Sequence, residues 1–273
     1  MKDFRQEYGQ YAIVTGASSG LGEEFARQLA AAGVNLILVA RRAARLERLS
    51  AELTRSHGTL NEVVALDLLE PGAVDELMRR TAHLDVGMLI ASAGVALAGP
   101  LVEHAVDDEL DVFTLHGAVT LRLAHGFGQA FAARGRGALV LISSSIAAGA
   151  VPFQANYAAV KAYVLSLGQA LHYELKSTGV DVLVLAPGQT ETEGLGKIRG
   201  IDFDKMPGGA KMSPAKAVSA ALHALGRRAV VIPGAMNKVA DALSKHLMTR
   251  GAAARMYGSI IGRALTDEAR SEA

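Results

Sequence analysis

Short apolar runs rich in β-branched residues alternate along the chain with longer amphipathic stretches. The strand-like runs are Tyr11–Thr15, Val34–Ala40, Glu62–Leu66, Val86–Ala91, Ala138–Ser143, Val180–Ala186 and Ala229–Ile232. The stretches between them have helical periodicity, and the longest covers roughly Asp107–Ala133. This alternation predicts an α/β fold, a doubly wound parallel sheet of about seven strands with helices on both faces.

The first predicted strand is followed by the pattern of a phosphate-binding turn. Residues 16–22 read Gly-Ala-Ser-Ser-Gly-Leu-Gly, and a helical stretch follows them. In such a strand–turn–helix, Gly16 permits the tight turn, Gly20 lets the backbone approach a pyrophosphate, and Gly22 lets the helix pack on the strand. The turn predicts a Rossmann-type dinucleotide site, and the alternative is a turn without a ligand.

The end of the second predicted strand distinguishes between dinucleotides. A carboxylate about twenty residues past the turn typically binds the 2′-hydroxyl of the adenosine ribose. This chain has Arg41 and Arg42 there instead. Because a guanidinium matches a 2′-phosphate in charge and geometry, we predict NADP(H) rather than NAD(H) as the cofactor. The alternative is that these arginines, with Arg45 and Arg48, only form the solvated face of a helix.

Tyr157 and Lys161 are four residues apart on a predicted helix, and Ser144 precedes Tyr157 by thirteen positions. This spacing places phenol and ammonium on one helix face, about 5 to 6 Å apart at Cβ. A nearby cation favours the phenolate, so Lys161 is predicted to lower the pKa of Tyr157 from about 10 toward the range of an acid–base catalyst. Ser144 lies in a run of three serines, and a strand-end turn is the alternative explanation for it.

Composition and charge restrict the remaining possibilities. The chain has 28 basic and 27 acidic residues, which speaks against a nucleic-acid partner. It has no cysteine, so thiolate metal sites and disulfides are excluded, redox chemistry requires a bound cofactor, and we predict no metal. The polar N-terminus lacks the apolar core of a signal peptide, and no apolar run is long enough to span a membrane. We expect a single cytoplasmic domain covering residues 1–273.

Together these motifs resemble the short-chain dehydrogenase/reductase family in its non-extended form, over roughly residues 8–235. The motifs concerned are Thr15–Gly22, Asp67, Ala93-Gly94, Ser144, Tyr157–Lys161, and Pro187-Gly188 followed by Thr192. The resemblance implies hydride transfer between a nicotinamide cofactor and an alcohol/carbonyl pair. Tyr157 would donate a proton to the carbonyl oxygen and Ser144 would hydrogen-bond that oxygen. Lys161 would also contact the nicotinamide ribose.

The resemblance further implies a set of cofactor-binding residues at the strand ends. Asp67 and Leu68 would contact the adenine, and Thr192 would bind the nicotinamide carboxamide. The alternative for Asp67 is a turn former. The complete set is Gly16, Ser18, Ser19, Gly20, Leu21, Gly22, Arg41, Arg42, Asp67, Leu68, Ala93, Gly94, Tyr157, Lys161, Pro187, Gly188, Thr190 and Thr192.

The chain departs from the family pattern at two places. Ala91 and Ser92 replace the first two asparagines of the NNAG segment, and the active-site asparagine of the central helix falls at His116. In the family, that asparagine helps to hold a water linked to the lysine. We hypothesise that His116 takes its place in a proton relay, with a charge that changes in the assay range because the ordinary imidazole pKa is near 6.5. The alternative is a histidine packed on a helix with one hydrogen bond.

The segment after Pro187 is expected to select the substrate. Residues of about 189–212 form a predicted lid, whose apolar members are Leu195, Ile198, Ile201, Phe203 and Met206. With Val151, Phe153 and Gln154 nearby in sequence to Tyr157, the predicted substrate is a medium-sized, mainly apolar ketone or aldehyde. A helical C-terminal extension of about 237–265 would cover the cleft or the core, and the alternative is contact with a membrane surface or a partner.

The family resemblance also implies a homodimer or homotetramer, formed through the central helix and the Tyr157 helix. Small residues that would permit close packing there are Ala158, Ala159, Ala162 and Gly168. The sequence therefore predicts an NADP(H)-dependent carbonyl reductase or alcohol dehydrogenase acting on a small molecule, without an integral membrane segment. One rival is an NADP(H)-binding sensor of the same fold with little turnover. The other is an epimerase or dehydratase of the longer, sugar-nucleotide branch.

Overall fold

Seven parallel strands form one continuous sheet. They are β1 (Tyr11–Thr15), β2 (Asn35–Ala40), β3 (Asn61–Ala65), β4 (Val86–Ala91), β5 (Gly137–Ile142), β6 (Val180–Leu185) and β7 (Val230–Val231). Their order across the sheet is β3-β2-β1-β4-β5-β6-β7. The computed structural model describes residues 3–193, 198, 200–202, 205, 211–235, 237 and 249–266. The predicted doubly wound fold is confirmed.

Helices cover both faces of this sheet. In chain order they are α1 (Phe4–Glu7), α2 (Gly20–Ala31), α3 (Ala43–His57), α4 (Ala73–Thr81), α5 (Val106–Phe113), α6 (Thr120–Arg134), α7 (Ala155–Glu174), α8 (Pro214–Ala224) and α9 (Arg250–Ala264). Helices α2, α3 and α8 contribute to the apolar core on one face of the sheet. Helices α4, α6 and α7 contribute to the core on the other face.

Strand β2 shows why both faces carry helices. Leu36 and Leu38 belong to one core, and Ile37 and Val39 belong to the other. Successive side chains of a strand point to opposite faces, so an unbroken apolar run requires an apolar partner on each side. Burial of the sheet on both faces follows directly from this sequence pattern.

The long helix predicted over Asp107–Ala133 is not a regular helix throughout. A π-helical segment, Thr114–Val119, separates α5 from α6. The wider turn of a π segment changes the direction in which its side chains point, and such segments are frequent at functional sites. The segment contains His116, which is buried.

The C-terminal helix α9 packs against the segment that precedes α7. Its Gly258 lies against Pro152, and its Gly262 lies against the ring of Phe153. Leu265 forms an antiparallel bridge with Ile201. Residues 264–266 therefore pair with residues 200–202 of the predicted lid.

The two ends of that lid are held together at its base. Thr190 forms a parallel bridge with Met212, whose N–H donates to the carbonyl of Gln189. Leu195, Phe203 and Met206, which were predicted to contact the substrate, lie outside the described residues. Much of the C-terminal extension, residues 238–248, lies outside them as well. Of the helices in the described part of the chain, none combines the length and apolar character needed to cross a bilayer.

The position of α7 depends on its close approach to the sheet at Gly168, which provides a test. A Cβ at Gly168 would lie 2.3 Å from Val184 Cγ2 in β6. We expect Gly168→Ala to lower the free energy of unfolding by about 1–3 kcal/mol, because the overlap forces α7 away from the sheet. Urea unfolding followed by circular dichroism measures this change.

The matched control is Gly128→Ala in α6, where the nearest atom to a new Cβ is 3.7 Å away. Ordinary contact leaves only the higher helix propensity of alanine, so stability should stay equal or rise by up to about 1 kcal/mol. Equal effects of the two substitutions would contradict the packing argument.

Candidate active site

The predicted site residues meet at one edge of the sheet. Because all seven strands are parallel, the segments that follow them leave from the same edge. The strand order reverses between β1 and β4, and the glycine turn after β1 lies at this point. A crevice outside the carboxyl ends of the strands at such a reversal is where ligands bind in open α/β sheets.

The glycine turn has the geometry of an anion-binding turn. Gly16 and Gly20 have φ angles of +69° and +61°, a backbone conformation that residues with a side chain rarely adopt. A Cβ at Gly22 would lie 2.4 Å from the carbonyl oxygen of Gly16, so helix α2 approaches the turn as closely as glycine allows. Thr192 lies over Gly20, where a Cβ would be 3.1 Å from Thr192 Cβ. The residues present thus fit a dinucleotide phosphate.

Thr15 connects the turn to the end of β4, a role that sequence reasoning missed. Its hydroxyl oxygen accepts hydrogen bonds from the N–H groups of Ser92 and Ala93, each at 3.0 Å. These residues lie in the segment where two family asparagines are replaced. The feature of the sequence that could have indicated this role is a polar residue at the end of an apolar strand. The Thr15 hydroxyl holds the backbone of this segment whatever side chain stands at position 92.

The two consecutive arginines after β2 point to different partners. Arg41 forms an ion pair with Asp67 at 3.5 Å. Arg42 donates to the hydroxyls of Ser18 and Ser19 in the glycine turn, at 3.0 and 2.9 Å. Asp67 also accepts from the N–H of Leu69, which is the turn-forming role weighed for it above. Of the two arginines, Arg42 is the one attached to the glycine turn.

A carboxylate from the far side of the site completes this charged group. Glu193 accepts from Arg42 at 3.0 Å and also from Arg45. Neither Arg45 nor Glu193 was predicted as a site residue. Arg45 was recognised only as part of a charged helix face, and Glu193 gave no signal because its partner Arg42 is 151 positions away.

Two neighbouring serines at the end of β5 have different surroundings. The Ser143 hydroxyl donates to the carbonyl oxygen of Lys161 at 2.7 Å and is buried. The Ser144 hydroxyl accepts from the N–H of Ile146 and begins a short 3₁₀ turn, Ser145–Ala148, that packs against α7. Ser143 therefore fixes α7 to β5, and Ser144 stands next to the helix that bears Tyr157.

Lys161 is buried, and its amine has two hydrogen-bonding partners. It is 3% exposed, and its Nζ donates to the carbonyl oxygen of Ile142 at 2.8 Å. The same atom lies 3.0 Å from His116 Nδ1 and 5.5 Å from the centroid of the Tyr157 ring. Tyr157 and Lys161 share one face of α7, as their spacing predicted.

His116 links Lys161 to the segment after β4. Its Nε2 lies 2.7 Å from the carbonyl oxygen of Val95. Since an ammonium can only donate, Nδ1 accepts from Lys161, which assigns the proton to Nε2 as donor to Val95. The ring also lies edge-on to Tyr157, with centroids 5.5 Å apart. His116 therefore has two hydrogen-bonding partners instead of the single one considered above.

Burial is the main cause of the pKa shifts of Lys161, Tyr157 and His116. It lowers the pKa of Lys161 to about 7 and raises the pKa of Tyr157 to about 12. It also lowers the pKa of His116 to about 3, together with the charge of Lys161, although the hydrogen bond to Val95 opposes the shift.

Two predictions about these proton affinities are corrected. The pKa of Tyr157 is raised and not lowered, because its burial disfavours the charged phenolate. His116 stays uncharged throughout the assay range, because both its burial and Lys161 disfavour the imidazolium.

An apolar wall lies beside α7. Val151 and Ala158 are buried against Ile201 and Ile261, and Phe153 packs against this cluster. Phe153 has a φ angle of +65°, a backbone conformation that a large side chain rarely adopts. Such strain persists only where the surroundings impose it, and here the Phe153 ring contacts Gly262 of α9.

Comparisons with known proteins agree with this geometry. The sequence model described as short chain dehydrogenase matches residues 10–200. A 7beta-hydroxysteroid dehydrogenase of Collinsella aerofaciens is 30% identical over 244 residues, which cover 86% of this chain and 90% of that relative. A very-long-chain 3-oxoacyl-CoA reductase-like protein of Arabidopsis thaliana is 32% identical over 202 residues, or 72% of this chain and 65% of that protein.

Solved structures show the same likeness. A structure from work on 7beta-hydroxysteroid dehydrogenase stereoselectivity superposes with a TM-score of 0.86 at 29% identity, covering 94% of this chain and 100% of that one. A short-chain dehydrogenase from Sphingobium yanoikuyae in complex with NADPH superposes with a TM-score of 0.76 at 31% identity, covering 88% of this chain and 96% of that one.

The lowered pKa of His116 predicts a pH dependence of stability. In the unfolded chain, His116 takes up a proton near pH 6.5, whereas in the folded protein it does so only near pH 3. The stability that depends on neutral His116 is therefore complete above pH 6.5 and is lost progressively as the pH falls toward 3. His116→Asn should retain about 2 kcal/mol more of its pH 7 stability at pH 5 than the parent protein does.

Urea midpoints at pH 7 and pH 5 measure this difference. His125→Asn, on an exposed position of α6, controls for the loss of an imidazole. An equal loss of stability between pH 7 and pH 5 in the parent and in His116→Asn would contradict the assignment.

Proposed function

The chain belongs to the short-chain dehydrogenase/reductase family, and from that premise we propose that it is an NADP(H)-dependent reductase of a bulky, mainly apolar ketone. One observation carries the proposal, the cluster in which Lys161 Nζ lies 3.0 Å from His116 and 5.5 Å from the Tyr157 ring. Lys161 is tied to Ile142 at the end of β5, which lies at the same sheet edge as the glycine turn.

The residues at the sheet edge fit a nicotinamide dinucleotide. The glycine turn and the N-terminus of α2 would hold the pyrophosphate, and Arg42 with Arg45 would hold a 2′-phosphate. Asp67 and Leu68 would border the adenine, and Thr192, which lies over Gly20, would reach the carboxamide side. When bound, the cofactor supplies the hydride that reduces the carbonyl carbon.

Tyr157 is the proposed general acid. Because burial raises its pKa to about 12, the phenol is protonated at neutral pH and can donate to a carbonyl oxygen. Ser144, at the end of β5, would hydrogen-bond the same oxygen. The phenolate left after donation would be stabilised by the Lys161 ammonium and would recover its proton from that side.

Lys161 and His116 are the proposed relay behind Tyr157. The pKa of Lys161, about 7, lets this amine gain and lose a proton near neutrality. His116 stays neutral and accepts from Lys161 Nζ, so it orients the amine instead of carrying charge. This role replaces that of a titrating histidine, and it uses the acceptor capacity that an asparagine would supply in the family.

The preference for NADP(H) over NAD(H) rests on positive charge beside the turn. Arg42 is attached to Ser18 and Ser19, and Arg45 lies on the same side through Glu193. A 2′-phosphate accepts bidentate hydrogen bonds from guanidinium groups, whereas a 2′-hydroxyl gains little from them. The NADPH complex of the similar Sphingobium dehydrogenase supports this assignment.

The proposed substrate has a rigid or bulky apolar body, as a steroid does. The support is the apolar wall beside Tyr157, which combines Val151 and Phe153 with Ile261 of α9. The similar proteins named for hydroxysteroids and very-long-chain acyl groups point in the same direction.

We propose a homodimer formed through the outer faces of α5 and α7. Leu110 and Phe113 of α5 are 52% and 54% exposed, and Tyr163 of α7 is 40% exposed. Large apolar side chains grouped on one surface favour a protein interface. Ala158 and Gly168, which were expected to face a partner helix, are buried within their own chain and do not contribute.

Tyr157→Phe tests the general acid. Removal of the hydroxyl should lower ketone-dependent NADPH oxidation by about 10²- to 10⁴-fold, because no other group donates the proton. A panel of hydroxysteroid ketones and bulky aryl ketones, followed at the nicotinamide absorbance, measures this effect. NADPH binding should be retained.

Tyr173→Phe is the matched control, because this tyrosine lies on α7 but is 72% exposed. Turnover in Tyr157→Phe equal to that of the control would contradict the assignment. Tight NADPH binding by the parent without oxidation on any ketone of the panel would favour the sensor reading instead.

The pKa of Lys161 predicts how ketone reduction responds to pH. Reduction needs the charged amine, so kcat/KM for the ketone at saturating NADPH should decline as the pH rises through about 7. Tyr157, with its pKa raised to about 12, stays protonated over this range and adds no second decline. A value of kcat/KM that is constant from pH 6 to pH 9 would contradict the role given to Lys161.

A further inference from the structure

Glu193 joins the segment after β6 to the arginines after β2. Its two carboxylate oxygens are divided between two guanidinium groups, with Oε1 accepting from Arg42 at 3.0 Å and Oε2 accepting from Arg45. Arg42 is held in place from behind by the hydroxyls of Ser18 and Ser19. A carboxylate bridging two arginines makes the same charge-assisted contacts that a phosphate would make at this place.

The contact is exchangeable. The side chains of Arg42, Arg45 and Glu193 are 36%, 41% and 32% exposed, so water and solutes reach all three. Ion pairs with this exposure contribute little to stability, and an incoming anion of higher charge can replace the carboxylate at low cost. By contrast, the Lys161 side chain that bears the amine is only 3% exposed.

We propose that Glu193 is an intramolecular competitor for the 2′-phosphate of NADP(H), and that it thereby sets how strongly the protein prefers NADP(H) over NAD(H). The inference rests on the NADP(H) preference proposed above. A dianionic 2′-phosphate displaces the carboxylate from Arg42 and Arg45. A 2′-hydroxyl brings no charge to exchange, so NAD(H) leaves the Glu193 pair intact.

The exchange also acts on the chain that crosses the glycine turn. Thr192 precedes Glu193 and lies over Gly20, and Glu191 is fixed by its N–H to the carbonyl oxygen of Met212. Release of the Glu193 carboxylate removes one attachment of this segment while its base stays in place. By competing for Arg42 and Arg45, Glu193 weakens the binding of NADP(H) but not that of NAD(H). This favours the release of the phosphorylated cofactor after turnover.

The experiment compares two adenine nucleotides that differ only in the 2′-phosphate, adenosine 2′,5′-bisphosphate and adenosine 5′-monophosphate. Isothermal titration calorimetry at fixed ionic strength gives both Kd values for the parent, for Glu193→Gln and for Glu191→Gln. Glu191 is the matched control, because it lies two residues away, is exposed, and carries the same charge. Glu193→Gln should bind the bisphosphate about three- to tenfold more tightly than Glu191→Gln, with less than about a twofold change for the monophosphate.

Two outcomes overturn different claims. If the parent prefers the bisphosphate but Glu193→Gln leaves that preference as it is in Glu191→Gln, or reduces it, the competitor role of Glu193 is wrong and the NADP(H) preference stands. If parent and variants all bind the two nucleotides equally, the protein has no 2′-phosphate site and the proposed cofactor preference is wrong as well.

Discussion

The structure of the site depends on one buried amine. Lys161 Nζ is held by the carbonyl oxygen of Ile142, at the end of β5, and by His116 in the π segment. A buried cation is costly unless its hydrogen-bonding groups are satisfied, so strand, π segment and helix α7 must keep their mutual positions. The hydrogen bond from Ser143 to the Lys161 carbonyl oxygen holds the same helix from the backbone side. These contacts also fix the position of Tyr157, one turn earlier on α7, although none of them involves its hydroxyl group.

Burial and charge act in opposite directions on this pair, and their balance depends on the protonation state. At a separation of 5.5 Å between amine and ring, the attraction between ammonium and phenolate is about 3 kcal/mol at an effective dielectric constant of 20. This attraction exists only when both groups are charged. The pKa of Tyr157 reflects the free energy of forming the phenolate, and it is raised because burial disfavours that charged form. The cation therefore acts on the phenolate as it forms, which is where a general acid needs support.

The sequence predicted the parts of the structure that depend on local patterns. Seven apolar runs followed by turn residues predicted the strands to within about one residue, and with them the sheet edge from which Gly16 and Ser144 follow β1 and β5. Contacts between distant segments were not predictable in this way. The pair of Arg42 with Glu193 and the two serines at β5 depend on side-chain directions that only tertiary packing sets. The pKa shifts at Tyr157 and His116 were predicted with the wrong sign or size for the same reason, because burial is not visible in a four-residue spacing.

The pairing of residues 200–202 with residues 264–266 has a consequence for the order in which parts of the protein fold. The segments that carry the glycine turn, the arginines and Tyr157 all leave the ribosome before α9 does. Loop closure between distant segments is slow compared with local structure, and chains fold from the N-terminus during synthesis. The nucleotide half can thus assemble co-translationally, and the wall around Phe153 is completed last. A nascent chain stalled before residue 250 would present that apolar surface to chaperones.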